Sequence, residues 1–312
     1  MNDRDHRPDR RTVLKGLGAS AVIGLLPRGL LAGTPATSGV VTKPIPATGE
    51  RIPVIGMGTS RTFDVPSADA RGALVPVLRT FFECGGTVID SSPMYGTAEE
   101  VIGQLLDRVP HDDLFAATKV WTDGRRAGIE QMHRSEQLWG VDRFDLMQIH
   151  NLRDWRTHLP TLREMKDRGE IRYIGITTSH GRDHEALAAA LREEKFDFVQ
   201  LSYNISNRDV EEDLLPLAAD RGTAVLVNRP FQRGELFARV KGKPLPGWVD
   251  EIGVSTWGQF FLKYAVSHPA VTCAIPATSK PEHMADNMGA AYGPLPDTDQ
   301  RRRMLRDLEQ LV

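Results

Sequence analysis

Two cysteines in 312 residues are too few for a framework of disulfides. Cys84 ends a helix-like stretch and Cys273 sits mid-strand in an apolar run, so both are expected as free core thiols. An excess of charge of one sign is missing too. The 39 Lys and Arg residues nearly balance 41 Asp and Glu, and a net charge of −2 leaves no electrostatic footprint for nucleic acid. No Gly-x-Gly-x-x-Gly follows a strand: Gly56-Met57-Gly58-Thr59 lacks the third glycine and the helix behind it, which argues against a doubly wound sheet. His180 and His184 have i, i+4 spacing, but no glutamate follows the first as a zinc-protease helix requires, so they read as solvated loop histidines and no metal is expected. No apolar run reaches the length that spans a bilayer.

One short uncharged run does occur, between Gly16 and Leu26, behind Asp9-Arg10-Arg11-Thr12-Val13-Leu14-Lys15. Pro27 and Arg28 end it, and a Gly/Thr/Pro/Ala/Ser linker follows to Gly39. A basic region, a short apolar region and a small-residue linker in that order are the layout of an export signal. The arginine pair resembles the twin-arginine signal, departing from it at Asp9 and Val13. The resemblance implies a leader and linker over residues 1–40, a partner in the Tat export machinery, and a periplasmic protein, released or held by an uncleaved signal. If the signal is not functional, the protein is cytoplasmic.

Residues 41–312 carry eight short apolar runs, one over 53–59 and others at Val88, Phe115, Leu146, Ile174, Val199, Val225 and Val271. Helical stretches fill the intervals, among them 66–83, 99–108, 185–194 and 210–220, with a last one over 297–311. Ahead of the first strand, Ala47-Thr48-Gly49-Glu50 reads as a hairpin or turn. Eight strand–helix alternations predict an α/β fold, a single-domain (β/α)8 TIM barrel, preceded by the leader. The Arg301–Arg303 run reads as a solvated helix face.

In such a barrel the C-terminal ends of all strands face one rim, where catalytic groups collect. Asp90 ends Thr-Val-Ile-Asp, with Tyr95 just beyond; Lys119 ends Phe-Ala-Ala-Thr-Lys; His150 ends Asp-Leu-Met-Gln-Ile-His. A tyrosine of ordinary pKa about 10 is a poor proton donor near neutrality, and a lysine ammonium within a few ångströms is expected to lower it. An aspartate behind the lysine keeps it charged, and a histidine bonds the substrate oxygen. Together these groups polarise a carbonyl and protonate the alkoxide formed when a nucleophile arrives. With no serine or cysteine beside a base, hydride from a cofactor is the economical nucleophile.

These four residues, in Val-Ile-Asp-Ser-Ser-Pro-Met-Tyr-Gly, Ala-Thr-Lys-Val-Trp and Asp-Leu-Met-Gln-Ile-His-Asn, resemble the tetrad of the aldo/keto reductases, and the likeness covers about residues 52–287. It implies an NAD(P)H-dependent reductase of aldehydes or ketones, with Tyr95 as general acid, Lys119 tuning it, Asp90 pairing with Lys119 and His150 orienting the carbonyl. It further implies cofactor contacts from Gly58, Thr59, Thr177, Thr178, Gln200, Asn228, Arg229 and Phe231. At the adenosine end it implies contacts from Thr278, Lys280, His283 and Asn287. Thr177 and Thr178 replace a Ser-Asn pair, and Asn228 replaces a tyrosine that stacks on the nicotinamide in many members. Ala277 and His283 stand where many NADP-dependent members have lysine and arginine. NADP is favoured on this reading, with NAD as the alternative. Met94, Trp121 and Asn151 are expected to wall the pocket for a small carbonyl substrate. The long C-terminal substrate loop of many members is absent, which predicts an open mouth. A cofactor-binding regulatory or interaction subunit with little turnover is the alternative function.

Overall fold

The computed structural model describes residues 39–311. The twin-arginine segment therefore lies outside the described residues. The chain enters through an antiparallel pair, β1 (Thr42–Pro44) and β2 (Arg51–Pro53), joined by the expected turn and registered Thr42 to Pro53. Eight parallel strands follow, β3 (Met57–Gly58), β4 (Val88–Asp90), β5 (Phe115–Val120), β6 (Phe144–Ile149), β7 (Ile171–Thr177), β8 (Phe198–Ser202), β9 (Ala224–Asn228) and β10 (Val271–Ala274). Each pairs with its neighbours in sequence. A parallel bridge from Ile55 to Ala274, with Gly56 N–H on the Ala274 carbonyl at 2.9 Å, joins last to first and closes the barrel.

The helices α1 (Ala68–Gly72), α2 (Val75–Glu83), α3 (Ala98–Leu106), α4 (Arg125–Trp139), α5 (Trp155–Asp167), α6 (His184–Glu193), α7 (Leu214–Arg221), α8 (Glu235–Arg239), α9 (Trp257–Ser267), α10 (Pro281–Gly289) and α11 (Thr298–Leu311) occupy the intervals. The stretch expected as one helix over 66–83 is two. Pro76 has no N–H for the Gly72 carbonyl, so α1 ends and α2 restarts with proline in its first turn. The Arg301–Arg303 expectation is corrected at its first residue. Arg301 lies on the same face of α11 as the buried Met304 and Leu308, at i, i+3 and i+7, and its side chain is only 13% exposed. It donates to Tyr203 Oη at 2.7 Å and Glu211 at 3.1 Å, while Arg302 stays at the surface with Asp299.

Strand alternation divides the apolar residues in two. Ile89, Ala116, Met147, Ile174, Val199 and Val225 face outward under the helices. Val88, Phe115, Leu146, Tyr173, Phe198 and Ala224 face inward, where Ile45 and Ile52 of the hairpin pack on them and plug the N-terminal end of the barrel. Both cysteines are free thiols, Cys84 half-buried and Cys273 buried.

Candidate active site

Following each inward row one or two steps toward the C-terminal rim turns it polar. Val88 is followed by Asp90, Ala117 by Lys119, Leu146 by Gln148 and His150, Phe198 by Gln200 and Ser202, Leu226 by Asn228. Period 2 carries the apolar plug and the polar floor on the same face of the same strands. Space for this layer comes from glycine at two points. A Cβ on Gly175 would lie 2.7 Å from Gln148 Cγ, and one on Gly58 would lie 2.7 Å from the Ile275 carbonyl oxygen.

Two of the four tetrad side chains, Lys119 and Asp90, form the floor, and Tyr95 and His150 stand over it. Lys119, wholly buried, donates to Asp90 Oδ2 at 2.5 Å and to the Ser91 carbonyl at 2.6 Å. The other Asp90 oxygen accepts from Gln148 Nε2 at 2.8 Å and Gln200 Nε2 at 2.9 Å. The Tyr95 ring lies over the lysine, with the ammonium 5.2 Å from its centroid. It meets the His150 ring edge-on at 5.8 Å. Residues sixty positions apart in the chain thus share one point.

Electrostatics follow from burial and these charges. Burial opposes the charge on Lys119, but the Asp90 carboxylate and the Tyr95 phenol outweigh it and hold the ammonium's pKa above its usual value. For Tyr95 the expected lowering is corrected. Burial pushes the phenol above its ordinary 10 and Asp90 adds to the rise, although Lys119 pulls the other way. In the protein without cofactor, desolvation wins. His150 is depressed to about 2, first by burial and then by the Lys119 charge, so the imidazole is neutral. Its Nδ1 is bonded to Ser92 Oγ at 2.9 Å, which corrects the expectation that no serine stands beside a base; Ser92 is fully buried and off the cavity lining, so its hydroxyl is not presented to a substrate.

Above this floor opens a cavity of about 970 Å³. Met94, Tyr95, His150 and Asn151 line one side, and Gly58, Thr59, Thr177, Thr178, Gln200, Asn228, Arg229 and Phe231 continue it across the barrel mouth. Asn228 Nδ2 donates to the Thr178 carbonyl at 2.9 Å and its Oδ1 accepts from Ser202 at 2.6 Å. The amide therefore ties three strand ends together. Thr177 Oγ1 accepts from Asn151 N–H at 3.0 Å, while Thr59 Oγ1 donates to the Asp90 carbonyl at 2.9 Å. Asn151 and Arg229 hold φ of 53°, in the left-handed region, at the ends of β6 and β9.

Two buried polar atoms on this wall have no partner, Thr178 Oγ1 and Arg229 Nη2. Native proteins rarely leave such groups unmet, and lining the cavity leaves both open to a ligand's polar atoms. Burial and the neighbouring Arg233 and Arg182 lower the Arg229 pKa to about 10, as a cluster of cations awaiting an anion would. An unmet hydroxyl over the floor and a cationic rim fit the amide and diphosphate ends of a nicotinamide dinucleotide. Among the described residues no group of His, Cys, Asp and Glu side chains could hold a metal ion.

Some expected residues fall elsewhere. Trp121 is not on the cavity wall: Gln131 Oε1 takes its backbone N–H at 2.6 Å, and its ring lies under the Arg153 guanidinium at 5.0 Å, drawing it aside. The cavity ends at Ala277, so Thr278, Lys280, His283 and Asn287 stand beyond its lining, where β10 leads into α10. Thr278 Oγ1 there accepts the Lys280 N–H at 3.1 Å, and Asn287 is buried. His180 is an exposed loop residue, as expected, and also lines the cavity with Nε2 bonded to Arg233 at 2.9 Å, whereas His184 is corrected from a loop residue to the half-buried first residue of α6. Gln148 and Ser92 were missed. Gln148 stands two residues before His150 on the inward row of β6, a period-2 signal, whereas Ser92 lies beyond the end of β4, where alternation no longer marks a side chain. Arg182 sits on a loop and Arg233 in a single 3-10 turn, where no periodicity marks them.

Comparison with known proteins agrees with this geometry. The model of the aldo/keto reductase family matches residues 54–303. An NADH-specific methylglyoxal reductase of Escherichia coli is 25% identical over 286 residues, covering 73% of this chain and 86% of that protein. The E. coli methylglyoxal reductase YeaE is 26% identical over 243 residues, covering 76% and 84%. Among solved structures, an aldo/keto reductase from Klebsiella pneumoniae in complex with NADP and acetate superposes with a TM-score of 0.70 at 25% identity, over 83% of this chain and 93% of that one. With the barrel closed, the floor polar and the match spanning most of the described residues, the chain belongs to the aldo/keto reductase family.

Proposed function

We propose that the protein reduces an aldehyde or ketone to the alcohol with a nicotinamide dinucleotide, NADPH first and NADH as the alternative. The observation that carries this reading is the convergence of a phenol, a buried ammonium–carboxylate pair and a neutral imidazole beneath one cavity. When bound, the dinucleotide supplies hydride to the carbonyl carbon. Tyr95 gives its phenolic proton to the oxygen as the alkoxide forms. Lys119, kept charged by Asp90, stabilises the phenolate left behind until a proton returns from solvent. His150 bonds the carbonyl oxygen and orients it. Thr178, Gln200, Asn228, Arg229 and Phe231, with Gly58, Thr59 and Thr177, hold the cofactor along the mouth. Thr278, Lys280, His283 and Asn287 take its adenosine end. Met94 and Asn151 border the substrate, whose probe of choice is a small oxo-aldehyde, because both E. coli relatives are methylglyoxal reductases. No observation favours a regulatory subunit.

Titration with NADPH and NADH followed by tryptophan fluorescence, then turnover of methylglyoxal and other aldehydes, tests the reading. Tyr95→Phe is expected to keep cofactor binding and lose turnover. Failure to bind either dinucleotide defeats it. Export is the second part of the proposal, supported by Arg10, Arg11 and the apolar run behind them. Fractionated cells should hold the full chain outside the cytoplasm and an Arg10→Lys, Arg11→Lys chain inside; equal retention of both in the cytoplasm removes the export reading.

A further inference from the structure

We propose that Ser92 is a positioning residue that fixes the tautomer of His150, keeping the imidazole proton on Nε2, the nitrogen left to face the cavity. The inference rests on reading His150 as the group that bonds the substrate oxygen. Ser92 is fully buried, two residues beyond Asp90, the last residue of β4. Its Oγ has two partners among the described residues, the Met94 N–H at 3.2 Å and His150 Nδ1 at 2.9 Å. A backbone N–H only donates, so Met94 occupies a lone pair of the hydroxyl. The hydroxyl proton then has one acceptor in reach, Nδ1.

The opposite tautomer fails on the same count. With a proton on Nδ1, Ser92 would accept twice and bury its own hydrogen without a partner. With the proton on Nε2 every group in the chain Met94 N–H, Ser92 O–H, Nδ1 is paired, and Nε2–H is the donor left for a carbonyl oxygen. A neutral imidazole is needed for this choice to exist, and burial beside Lys119 keeps it neutral. The neighbouring serine shows the contrast. Ser91 Oγ is buried with no partner, and only its carbonyl serves the site by holding Lys119. The choice of tautomer makes His150 a hydrogen-bond donor to the carbonyl and leaves proton delivery to Tyr95.

The test is nitrogen NMR of the full chain labelled with 15N-histidine, with the His150 signals assigned by their loss in His150→Gln. A proton-bearing Nε2 and a bare Nδ1 are expected in the wild type. Ser92→Ala should populate the other tautomer and lower kcat about tenfold, less than the roughly 10²–10³-fold of deleting an oxyanion donor outright. Cofactor affinity should stay unchanged, and Ser92→Thr should restore both tautomer and kcat. A wild type with its proton on Nδ1 overturns the proposal, as does Ser92→Ala with unaltered tautomer and kcat. A protein with the expected tautomer that reduces no carbonyl upholds the assignment and defeats the reductase reading instead.

Discussion

Replacing Lys119 with methionine tests whether the floor of the cavity is held by a charge pair or merely by packing. The side chains of Lys119 and Asp90 are 0% and 3% exposed and 2.5 Å apart. Breaking a buried pair by removing one partner costs about 3–5 kcal/mol, because the other charge is stranded. Here Gln148 and Gln200 still donate to Asp90 Oδ1, which places the expected loss at the low end, about 3 kcal/mol. For a domain this large that corresponds to a Tm lower by about 5 °C. Asp90→Asn should cost a comparable amount by stranding the ammonium. The double variant should cost much less than the sum, since no charge remains and the two glutamines still bond each other at 3.0 Å. Urea unfolding of the four proteins gives the coupling energy, expected at about 2 kcal/mol. On the role proposed for Lys119, kcat of the single variant falls by about 10²–10⁴. Cofactor affinity changes little, because the ammonium bonds Asp90 and Ser91 beneath the cavity. Additive stabilities, within about 0.5 kcal/mol, would refute the charge-pair account.

Thr178→Val removes a buried hydroxyl that has no partner in the free protein. Stability without cofactor should hold or rise by up to about 1 kcal/mol, while the Kd for the dinucleotide weakens about three- to tenfold; unchanged affinity in the fluorescence titration would remove Thr178 from the cofactor site. Acid should weaken the fold through His150, whose pKa falls from 6.5 to about 2 on folding. The unfolded chain takes up a proton below pH 6.5 that the folded site refuses, so this contribution is whole above 6.5 and lost as pH falls toward 2. At pH 5 the loss is about 2 kcal/mol, and His150→Gln should show a shallower decline between pH 7 and 5 in denaturant titrations. Parallel slopes would contradict it.

The period-2 runs and the helices between them announced the barrel, because alternation and length are local properties of a chain. Four residues at strand ends announced the tetrad for the same reason, as the barrel brings every such end to one rim. The sequence is less informative where position depends on what packs from far away. Trp121 follows the lysine strand as a pocket residue would, yet Arg153 and Gln131 from other segments draw it aside. Arg301 looks like its solvated neighbours until α11 docks on α9. Lys43 and Lys263 carry no local mark of burial, but each Nζ bonds three backbone carbonyls. The direction of the Tyr95 shift was also out of reach, since it is the balance of burial against a nearby charge.

By itself, then, the chain determined which side chains point inward, which strand end each occupies and which chemistry they offer together. Those follow from the two-residue period and the handed, parallel winding of strands and helices. Tertiary structure decided the rest: which oxygen of Asp90 meets Lys119, which nitrogen of His150 meets Ser92, and which hydroxyl is left unmet on the cavity wall. Hydrogen bonds and desolvation depend on ångström separations between residues distant in sequence, and only closure of the barrel sets those distances.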